Sequence, residues 1–337
     1  MNILICGGGG FIGCNLLEQL IANNSKNLTV IDRLNYASNP EGLRHLEESV
    51  GIKFFHRDIG DQVFIQSALK ELEPDIVINL AAETHVDNSI ADPMIFVDNN
   101  IGATFRFLAE CLRYFKDERQ KAGTRPFRLL QISTDEVFGS INDVENACDE
   151  ESQYQPSNPY SATKAAADHM ISAMQNTYGL PAIIAYLSNN YGPYQHREKF
   201  IPKVISSAIN GSEIPVYGDG SQRRTWMNVK DTCDAIISVI EKGKVGSKYS
   251  FGGADEVQNL DLAQRICSIL DKLQPLPGGR SYKSQITLVK DRPGHDARYA
   301  LNSEKAKNEL NWAPQVSFQS GLVSTTQWYL KKMINEK

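Results

Sequence analysis

The residue pattern whose chemistry is clearest is a tyrosine and a lysine four positions apart. Tyr160 and Lys164 open a stretch with helical periodicity, and this spacing places both side chains on one face of a helix. An ammonium group beside a phenol stabilises the phenolate and lowers the pKa of the tyrosine. The pair can therefore remove the proton of a hydroxyl group while hydride leaves the attached carbon.

A second polar group stands earlier in the chain, at the end of an apolar strand pattern. Thr134, Asp135 and Glu136 directly follow the strand predicted at 129–133. A hydroxyl and two carboxylates are costly to hold in a cleft, so their placement favours a functional role over a solvated turn. Neighbouring carboxyl groups can divide into a base and an acid when their surroundings differ. We expect Thr134 to share a substrate hydroxyl with Tyr160.

The glycine-rich loop near the start of the chain predicts a dinucleotide site. Gly7, Gly10 and Gly13 stand between a strand pattern and a helical pattern, and two overlapping glycine registers fit the motif. Such a loop brings backbone amides and a helix N-terminus against a pyrophosphate. Asp32 ends the next strand, where a carboxylate accepts hydrogen bonds from the ribose and repels a 2′-phosphate. This favours NAD over NADP, although the adjacent Arg33 could accommodate a phosphate.

Further residues expected to contact the cofactor stand beside the same strand ends. They are Phe11 and Ile12 in the glycine loop, Asp58 and Ile59 after the third strand, and Ala81 and Ala82 after the fourth. Asp58 is expected near the adenine ring. The two alanines leave room for the cofactor to cross the strand ends, but close packing of a helix on the sheet explains them equally well.

These residues need a scaffold that gathers strand ends, and the hydrophobic pattern predicts one. Apolar strands alternate with amphipathic helices; strands are predicted at 2–6, 28–32, 53–56, 76–80, 129–133 and 183–187, and helices at 12–22, 62–71 and 93–115. This alternation predicts an α/β fold with a parallel sheet covered on both faces, the doubly wound Rossmann arrangement. This regular alternation of strands and helices ends near residue 190. We therefore expect an NAD-binding Rossmann domain at 1–188, rejoined by about 225–251, and a smaller mixed α/β substrate lobe at 189–224 and 252–337.

Composition narrows the class of partners. The 337 residues carry a net charge of −5, which gives no general attraction to nucleic acid or to an anionic membrane. An apolar strand follows Met1 almost at once, so neither a signal peptide nor a membrane span is expected. The six cysteines and six histidines are scattered without metal-site spacing. We expect a cytoplasmic protein with no metal and no nucleic-acid or membrane partner.

Four longer motifs carry a resemblance to a known family. They are 81–87 (AAETHVD), 133–139 (STDEVFG), 188–194 (SNNYGPY) and 291–296 (DRPGHD). Together with the glycine loop and the tyrosine–lysine pair, they resemble the dTDP-glucose 4,6-dehydratases, which are NAD-dependent members of the extended short-chain dehydrogenase/reductases. The Thr-Asp-Glu triplet is the most specific part of this likeness. Related epimerases have small residues there, and related decarboxylases have Thr-Ser-Glu.

The resemblance implies a dehydration in three steps. Tyr160 would take the O4 proton as hydride passes from C4 of the sugar to NAD, and Glu136 would then remove the C5 proton. Asp135 would protonate the departing C6 hydroxyl, and return of hydride to C6 would give a 4-keto-6-deoxy sugar. A UDP-sugar 4-epimerase or decarboxylase of the same fold is an alternative that lacks the elimination. A non-catalytic NAD-sensing protein is another, although that class usually loses Tyr160 or Lys164.

The resemblance also predicts how a nucleotide-diphosphate sugar would be held. The residues expected to contact it are Thr84, Asn189, Lys199, Phe200, Pro215, Tyr217, Arg224, Asn259, Arg292 and His295. The two arginines and Asn189 are expected at the diphosphate, which needs cationic or amide donors. Departures from the family pattern at Phe138, Asn88, 195–197, Thr225 and Asn228 leave the base and the hexose open.

Two of the predicted helices suggest an oligomer. The stretches 93–115 and 160–178 carry apolar residues on more than one face, for example Phe105, Phe107 and Leu112. Such helices can pair across a two-fold axis into a four-helix bundle, as members of the family usually do. We therefore expect a homodimer.

Overall fold

The computed structural model of the protein describes residues 1–120, 126–142 and 146–335. Its strands are β1 (Asn2–Cys6), β2 (Asn27–Asp32), β3 (Lys53–His56), β4 (Ile76–Asn79), β5 (Arg128–Thr134), β6 (Ala182–Leu187), β7 (Asn189–Tyr191), β8 (Ile214–Tyr217), β9 (Arg223–Asn228), β10 (Lys248–Phe251), β11 (Asp255–Gln258), β12 (Ile286–Val289) and β13 (Arg298–Tyr299). Its α-helices are α1 (Phe11–Ala22), α2 (Pro40–Val50), α3 (Gln62–Leu72), α4 (Val86–Ala91), α5 (Pro93–Phe96), α6 (Thr104–Tyr114), α7 (Pro159–Tyr178), α8 (Phe200–Ile209), α9 (Val229–Lys242), α10 (Asn259–Leu273), α11 (Glu304–Leu310) and α12 (Phe318–Asn335).

Seven strands form the central sheet, in the order β3-β2-β1-β4-β5-β6-β10. All the neighbouring strands in it are parallel. The strand order reverses between β1 and β4, which is where a doubly wound sheet opens a ligand crevice. The prediction of an α/β Rossmann fold is therefore confirmed, and the six predicted strands agree with the structure to within one residue at each end.

Both faces of this sheet are covered, which explains why its strands are apolar throughout. Helices α1, α9 and α11 lie together over one face, where Leu16, Ile236 and Leu310 are buried in a common core. Helices α3, α6 and α7 lie together over the other face, where Ile65 and Phe107 are buried. Burial of each such side chain contributes about 1.5–3 kcal/mol to folding.

A smaller lobe stands beyond the carboxyl ends of the large sheet. Strand β9 is its centre and pairs with β7, β11 and β13, while β8 and β12 form a separate parallel pair. Helices α8, α10 and α12 pack on one another and bury a third apolar core, which includes Tyr191, Ile205 and Ile266. The smaller lobe therefore has an apolar core of its own, separate from the two that cover the large sheet.

The chain returns from the smaller lobe to the large sheet. Helix α9 packs against α1, and β10 pairs with β6 at the edge of the large sheet. Ala306, Leu310 and Trp312 also pack in the core on that face. The division at 188, 225 and 252 stays a prediction. We propose a refined division in which 229–251 and 304–312 both join the Rossmann domain.

The helix predicted at 93–115 has a π-helical segment, Val97–Ala103, between α5 and α6. Asp92 caps its start, because its Oδ1 accepts a hydrogen bond from the amide of Met94 at 3.2 Å. A π-helical turn adds a residue to the turn and changes the direction of the side chains, often at functional sites. Here it lets both Asn99 and Asn100 hydrogen-bond toward the strand ends. Within the described residues, no helix is long and apolar enough to cross a membrane.

Candidate active site

The candidate site is a cavity of about 570 Å³ at the carboxyl ends of the large sheet, closed on its other side by the smaller lobe. Every residue predicted to bind the cofactor, act in the chemistry or hold the substrate lines this cavity. Sheet topology explains this convergence for the first half of the chain, since parallel strands end at one edge. The structure thus brings the predicted residues together, while the role of each stays a prediction.

The glycine loop is too tightly packed to accept side chains. A Cβ atom on Gly7 would lie 2.7 Å from the amide nitrogen of Ala81, and one on Gly13 would lie 2.6 Å from the carbonyl oxygen of Gly7. Gly7 also has a φ of +81°, which favours glycine. Gly10 immediately precedes α1, so the free amides of that helix point into the cavity beside Phe11 and Ile12. This cradle fits a pyrophosphate.

Asp32 stands where the ribose of a dinucleotide is expected. Its Oδ2 accepts a hydrogen bond from the amide of Gly9 at 2.9 Å, and its Oδ1 accepts one from the amide of Leu34 at 2.7 Å. Burial raises the pKa of Asp32, and these two hydrogen bonds act in the opposite direction. Asp58 and Ile59, together with Ala81 and Ala82, line the same part of the cavity.

Arg33 is the residue that could have accommodated the 2′-phosphate of NADP. Its guanidinium group is held by neighbouring polar groups. Its guanidinium forms an ion pair with the buried carboxylate of Glu83 and donates to Asn99 Oδ1 at 2.6 Å. A further contact joins Arg33 to Asp58 at 3.3 Å. The charge that could have received a 2′-phosphate is thus already paired with carboxylates, which favours NAD.

Helix α7 positions the tyrosine–lysine pair. A capping box between Asn158 and Ser161, with Pro159 in the first turn, sets where this helix begins. The amide of Tyr160 donates to Ser89 Oγ at 3.2 Å, which ties the start of α7 to α4. Lys164 is buried, and its Nζ donates to the carbonyl oxygen of Ile132 on β5 at 2.7 Å.

The expectation that Lys164 lowers the pKa of Tyr160 needs correction. Burial and then the charge of Glu136 raise the pKa of Tyr160, and a hydrogen bond with Thr134 acts in the opposite direction. The physical reason is that the phenol is shielded from water and faces acidic groups. The ammonium of Lys164, meanwhile, is directed at a backbone carbonyl of β5.

The Thr-Asp-Glu triplet turns away from β5 in a single 3₁₀ turn, Asp135–Phe138. Thr134 caps this turn by accepting a hydrogen bond from the amide of Glu136 at 3.3 Å. Asp135 Oδ2 and Glu136 Oε2 are buried without a hydrogen-bond partner among the described residues. Two unsatisfied carboxyl oxygens that line a cavity are suited to a ligand rich in hydroxyl groups.

The two carboxyl groups differ in their electrostatic surroundings. Burial, followed by the charge of Glu136, raises the pKa of Asp135 to about 8. Burial also raises the pKa of Glu136, but Arg292, Arg224 and Lys199 act against this rise. The raised pKa of Asp135 favours its protonated form, which can donate a proton, whereas three cations favour the ionised, basic form of Glu136.

The predicted substrate residues come from separate elements of the smaller lobe and its connections. Asn189 is on β7, Phe200 begins α8, Pro215 and Tyr217 are on β8, and Asn259 begins α10. Lys199 Nζ donates to the carbonyl oxygen of Thr84 at 2.6 Å, so the two lobes touch at this point.

Positive groups cluster at the same end of the cavity. Arg292 Nη1 lies 3.4 Å from Asp87 Oδ1, and the hydroxyl of Tyr217 donates to the other oxygen of Asp87 at 3.1 Å. His295 Nδ1 lies 2.6 Å from Asp291 Oδ1, and burial followed by Arg292 lowers the pKa of His295. Arg292 Nε is buried without a hydrogen-bond partner among the described residues, so it can still donate to an anion.

Arg224 is held in place by backbone carbonyl groups and by an aromatic ring. Its guanidinium donates to the carbonyl oxygens of Arg223 at 2.7 Å and Asp296 at 2.8 Å. It also lies 4.2 Å from the ring centre of Tyr299, as in a cation–π contact. These contacts fix the position of a buried charge that favours the ionised forms of both Asp135 and Glu136.

Several residues that line the cavity or lie next to it were not found from the sequence. Asp168 stands four residues after Lys164, and its only signal was a charge on the buried side of a helix. Glu83 appeared in the sequence analysis only as one residue of the motif 81–87, without a predicted role. Asn99 and Asn100 had no usable signal, because the π-helical segment changes which side chains face inward. No group of three or more metal-binding side chains occurs in the described parts of the chain.

The fold and the site together define a class of protein. A parallel sheet with a glycine loop at its switch point is the framework of dinucleotide-dependent oxidoreductases. A tyrosine and a lysine on one helix, facing the end of β5, narrow this class to the short-chain dehydrogenase/reductases.

Comparison with known proteins identifies the family. Residues 4–325 match the family described as GDP-mannose 4,6 dehydratase. The dTDP-glucose 4,6-dehydratase of Haemophilus influenzae is 45% identical over 98% of both chains. That of Shigella flexneri is 42% identical over 98% of this chain and 93% of its own. The chain belongs to this nucleotide-sugar 4,6-dehydratase family, which confirms the resemblance found in the sequence.

Solved structures agree with this assignment. The dTDP-glucose 4,6-dehydratase DesIV of Streptomyces venezuelae, solved with NAD bound, has a TM-score of 0.88 at 37% identity, covering 98% of this chain and 97% of its own. The enzyme of Bacillus anthracis, solved in complex with NAD, has a TM-score of 0.86 at 36% identity, covering 99% and 98%. A UDP-glucose 4-epimerase of Thermotoga maritima, with a TM-score of 0.86 at 24% identity over 99% of this chain and 100% of its own, shares the fold.

Proposed function

We propose that the protein is an NAD-dependent nucleotide-sugar 4,6-dehydratase that converts dTDP-glucose to dTDP-4-keto-6-deoxyglucose. The observation that carries this proposal is that Asp135 and Glu136, each with a buried carboxyl oxygen that has no hydrogen-bond partner among the described residues, line one cavity with Tyr160. An epimerase needs the tyrosine but has no use for an acid and a base side by side. The named relatives support dTDP-glucose as the substrate.

The cofactor assigned to the cavity is NAD. Gly7, Gly10 and Gly13 leave room for its pyrophosphate, and Asp32 is placed to accept hydrogen bonds from its ribose. When bound, NAD supplies a hydride acceptor for C4 of the sugar and a hydride donor for C6. The relatives solved with NAD support this choice.

The proton steps fall to four side chains. Tyr160, which lines the cavity with Thr134, would take the proton of the C4 hydroxyl as that carbon is oxidised. A 4-ketone acidifies the C5 proton, which Glu136 then removes as a base. Asp135 protonates the C6 oxygen, so that it leaves as water. This order uses each carboxyl group in the form that its surroundings favour.

The nucleotide diphosphate is assigned to the cationic end of the cavity. Arg292 Nε has no hydrogen-bond partner among the described residues, and Lys199, Asn189 and His295 also line the cavity. Arg224 contributes its charge from a fixed position. Tyr217 would stack on the base, and Phe200 and Pro215 also line the cavity.

We also infer a homodimer that forms in the cytoplasm through a four-helix bundle. Phe107 and Leu108 are buried in the core, but Phe105 is 46% exposed on α6 and Met170 is 39% exposed on α7. Apolar side chains on two neighbouring helices would be covered by the same helices of a second copy. Sedimentation of the wild-type protein and a Phe105→Glu variant tests this; a wild-type mass of one chain at micromolar concentration would contradict it.

The activity is tested by incubating the purified protein, without added NAD, with dTDP-glucose, UDP-glucose, UDP-GlcNAc and GDP-mannose. Mass spectrometry is expected to detect loss of one water from dTDP-glucose. Glu136→Gln is the matched control, because it keeps the shape of the side chain and removes the base. If no sugar loses water after NAD is supplied, the dehydratase proposal is wrong, and a product of unchanged mass with altered chromatography would indicate an epimerase.

A further inference from the structure

Asp87 is an acidic residue beside the large sheet that contacts the smaller lobe and has no part in the proposed proton steps. It stands in the first turn of α4 and lines the cavity. Its Oδ2 accepts a hydrogen bond from the hydroxyl of Tyr217 at 3.1 Å, and its Oδ1 accepts one from Nη1 of Arg292 at 3.4 Å. His85 Nε2 lies 4.0 Å from Oδ2. One carboxylate therefore contacts two of the residues assigned to the nucleotide.

The backbone brings Tyr217 and Arg292 to one end of the parallel pair β8 and β12. Tyr217, the last residue of β8, stands opposite Val289, the last residue of β12, and Arg292 follows three residues later. The amide of Gly218 donates to the carbonyl oxygen of Val289 at 2.9 Å, which holds the two strand ends together. An arginine side chain has many rotamers, so the backbone alone does not set the direction of its guanidinium. A contact at the end of the side chain is needed for that.

The contact with Asp87 leaves part of the Arg292 guanidinium for a ligand. Asp87 accepts from Nη1, whereas Nε is buried and has no hydrogen-bond partner among the described residues. The donors of a guanidinium lie in one rigid plane, so a contact at one nitrogen sets the direction of the others. Tyr217 is likewise held by its hydroxyl while it lines the cavity. The carboxylate thus orients both side chains without occupying the donor that faces the ligand.

We propose that Asp87 is a positioning residue for the nucleotide: it directs Nε of Arg292 toward the diphosphate and holds the ring of Tyr217 beside the base. The presence of a nucleotide at this end of the cavity rests on the proposed function. Asp87 belongs to the helices of the large sheet, so nucleotide binding by the smaller lobe depends on a contact between the lobes. Lys199 makes a second such contact close by, at the carbonyl oxygen of Thr84.

Calorimetric titration of the NAD-saturated protein with dTDP, UDP and GDP measures nucleotide affinity without any turnover. For the nucleotide that the wild type binds most tightly, Asp87→Asn is expected to raise Kd about 10-fold, because Arg292 loses its charged partner. Glu198→Gln is the matched control. It removes a carboxylate that also lines the cavity but contacts Tyr36 and His196, so Kd should change less than about 3-fold. An unchanged or lower Kd in Asp87→Asn, or an equal rise in both variants, would overturn the proposal.

A double-variant cycle shows whether Asp87 acts through the residues that it contacts. In an Arg292→Gln background, Asp87→Asn should raise Kd by at most about 3-fold, since only the contact with Tyr217 is left to lose. In a Tyr217→Phe background the contact with Arg292 persists, so most of the effect of Asp87→Asn should remain. A full 10-fold rise of Kd in the Arg292→Gln background would refute the proposal, about 10-fold being the loss expected in the wild type.

Kinetics separate positioning from a general structural role. With dTDP-glucose, Asp87→Asn should raise KM about 10-fold and change kcat by less than about 3-fold. A fall in kcat as large as the rise in KM would assign Asp87 a structural role and overturn the proposal. A wild type that binds a nucleoside diphosphate but dehydrates no sugar would contradict the proposed reaction and leave the binding cycle intact. A wild type that binds none of the three nucleotides would overturn the nucleotide site and this proposal together.

Discussion

Replacing Asp135 with asparagine is expected to stabilise the protein while it stops the elimination. Burial and Glu136 raise the pKa of Asp135 from 3.8 to about 8. Between these values the folded state holds a proton that the unfolded state has released, so stability falls as pH rises through this window. Each pH unit is worth about 1.4 kcal/mol, which amounts to roughly 4 kcal/mol of lost stability at neutral pH.

The asparagine brings a smaller cost of its own. Its amide would stand where Asp135 Oδ2 has no hydrogen-bond partner among the described residues, which costs about 1–3 kcal/mol. A net gain of about 2 kcal/mol remains, or a rise of roughly 4 °C in the melting temperature of a chain of this size. The gain should grow from mildly acidic pH to about pH 8, because the wild-type loss grows there.

Two assays check the Asp135→Asn variant. Calorimetric melting at several pH values measures the stability, and mass spectrometry measures both loss of water and uptake of solvent deuterium. Dehydration should fall by about 100-fold or more, while Glu136 still exchanges the C5 proton for deuterium. The Glu136→Gln variant should lose both. A pH-independent difference in melting temperature, or undiminished loss of water, would refute the acid role of Asp135.

Three further substitutions test the rest of the site. Gly13→Ala should remove bound nicotinamide cofactor, because the new Cβ would lie 2.6 Å from a backbone oxygen of the glycine loop. The cofactor content of the purified variant measures this loss. A full complement of cofactor would contradict the prediction. Tyr160→Phe should lower single-turnover oxidation at C4 by about 100-fold or more with little change in substrate affinity, and a smaller effect would assign the proton to another group. Glu83→Gln should release Arg33 and raise the affinity for NADP relative to NAD, as measured by thermal shift with each cofactor; an unchanged ratio would mean that Asp32 alone sets the preference.

Much of the large sheet could be predicted from the sequence, because its strands and helices depend on the residue pattern within each segment. Its strands are continuous apolar runs, and the helix predicted from residue 93 begins there, where Asp92 caps it. The π-helical segment Val97–Ala103 was not predictable, since no residue within it forces the extra turn. The return of Ala306 and Trp312 to the large sheet also had no local signal, because it depends on how distant segments pack.

In the candidate site, too, residues of a sequence motif could be predicted, whereas properties that depend on the packing of distant segments could not. Gly7, Gly13 and Asp32 belong to a motif whose spacing follows directly from the turn that it builds. The pKa of Tyr160 was predicted in the wrong direction, because the spacing to Lys164 says nothing about burial or about nearby acids. Asp168 was missed, because a charged residue on a helix is usually solvated and only the structure shows that it is buried.

The electrostatic difference between Asp135 and Glu136 depends on the smaller lobe. The two residues are neighbours in the chain, and burial raises the pKa of both. Arg224 is the cation that most opposes the rise for Asp135, whereas Arg292, Arg224 and Lys199 are the leading groups that oppose it for Glu136. These cations come from the lobe that closes the cavity over the sheet. The Rossmann sheet therefore supplies the pair of carboxyl groups, and cations of the second lobe give the two groups the different surroundings on which the acid and base roles proposed above depend.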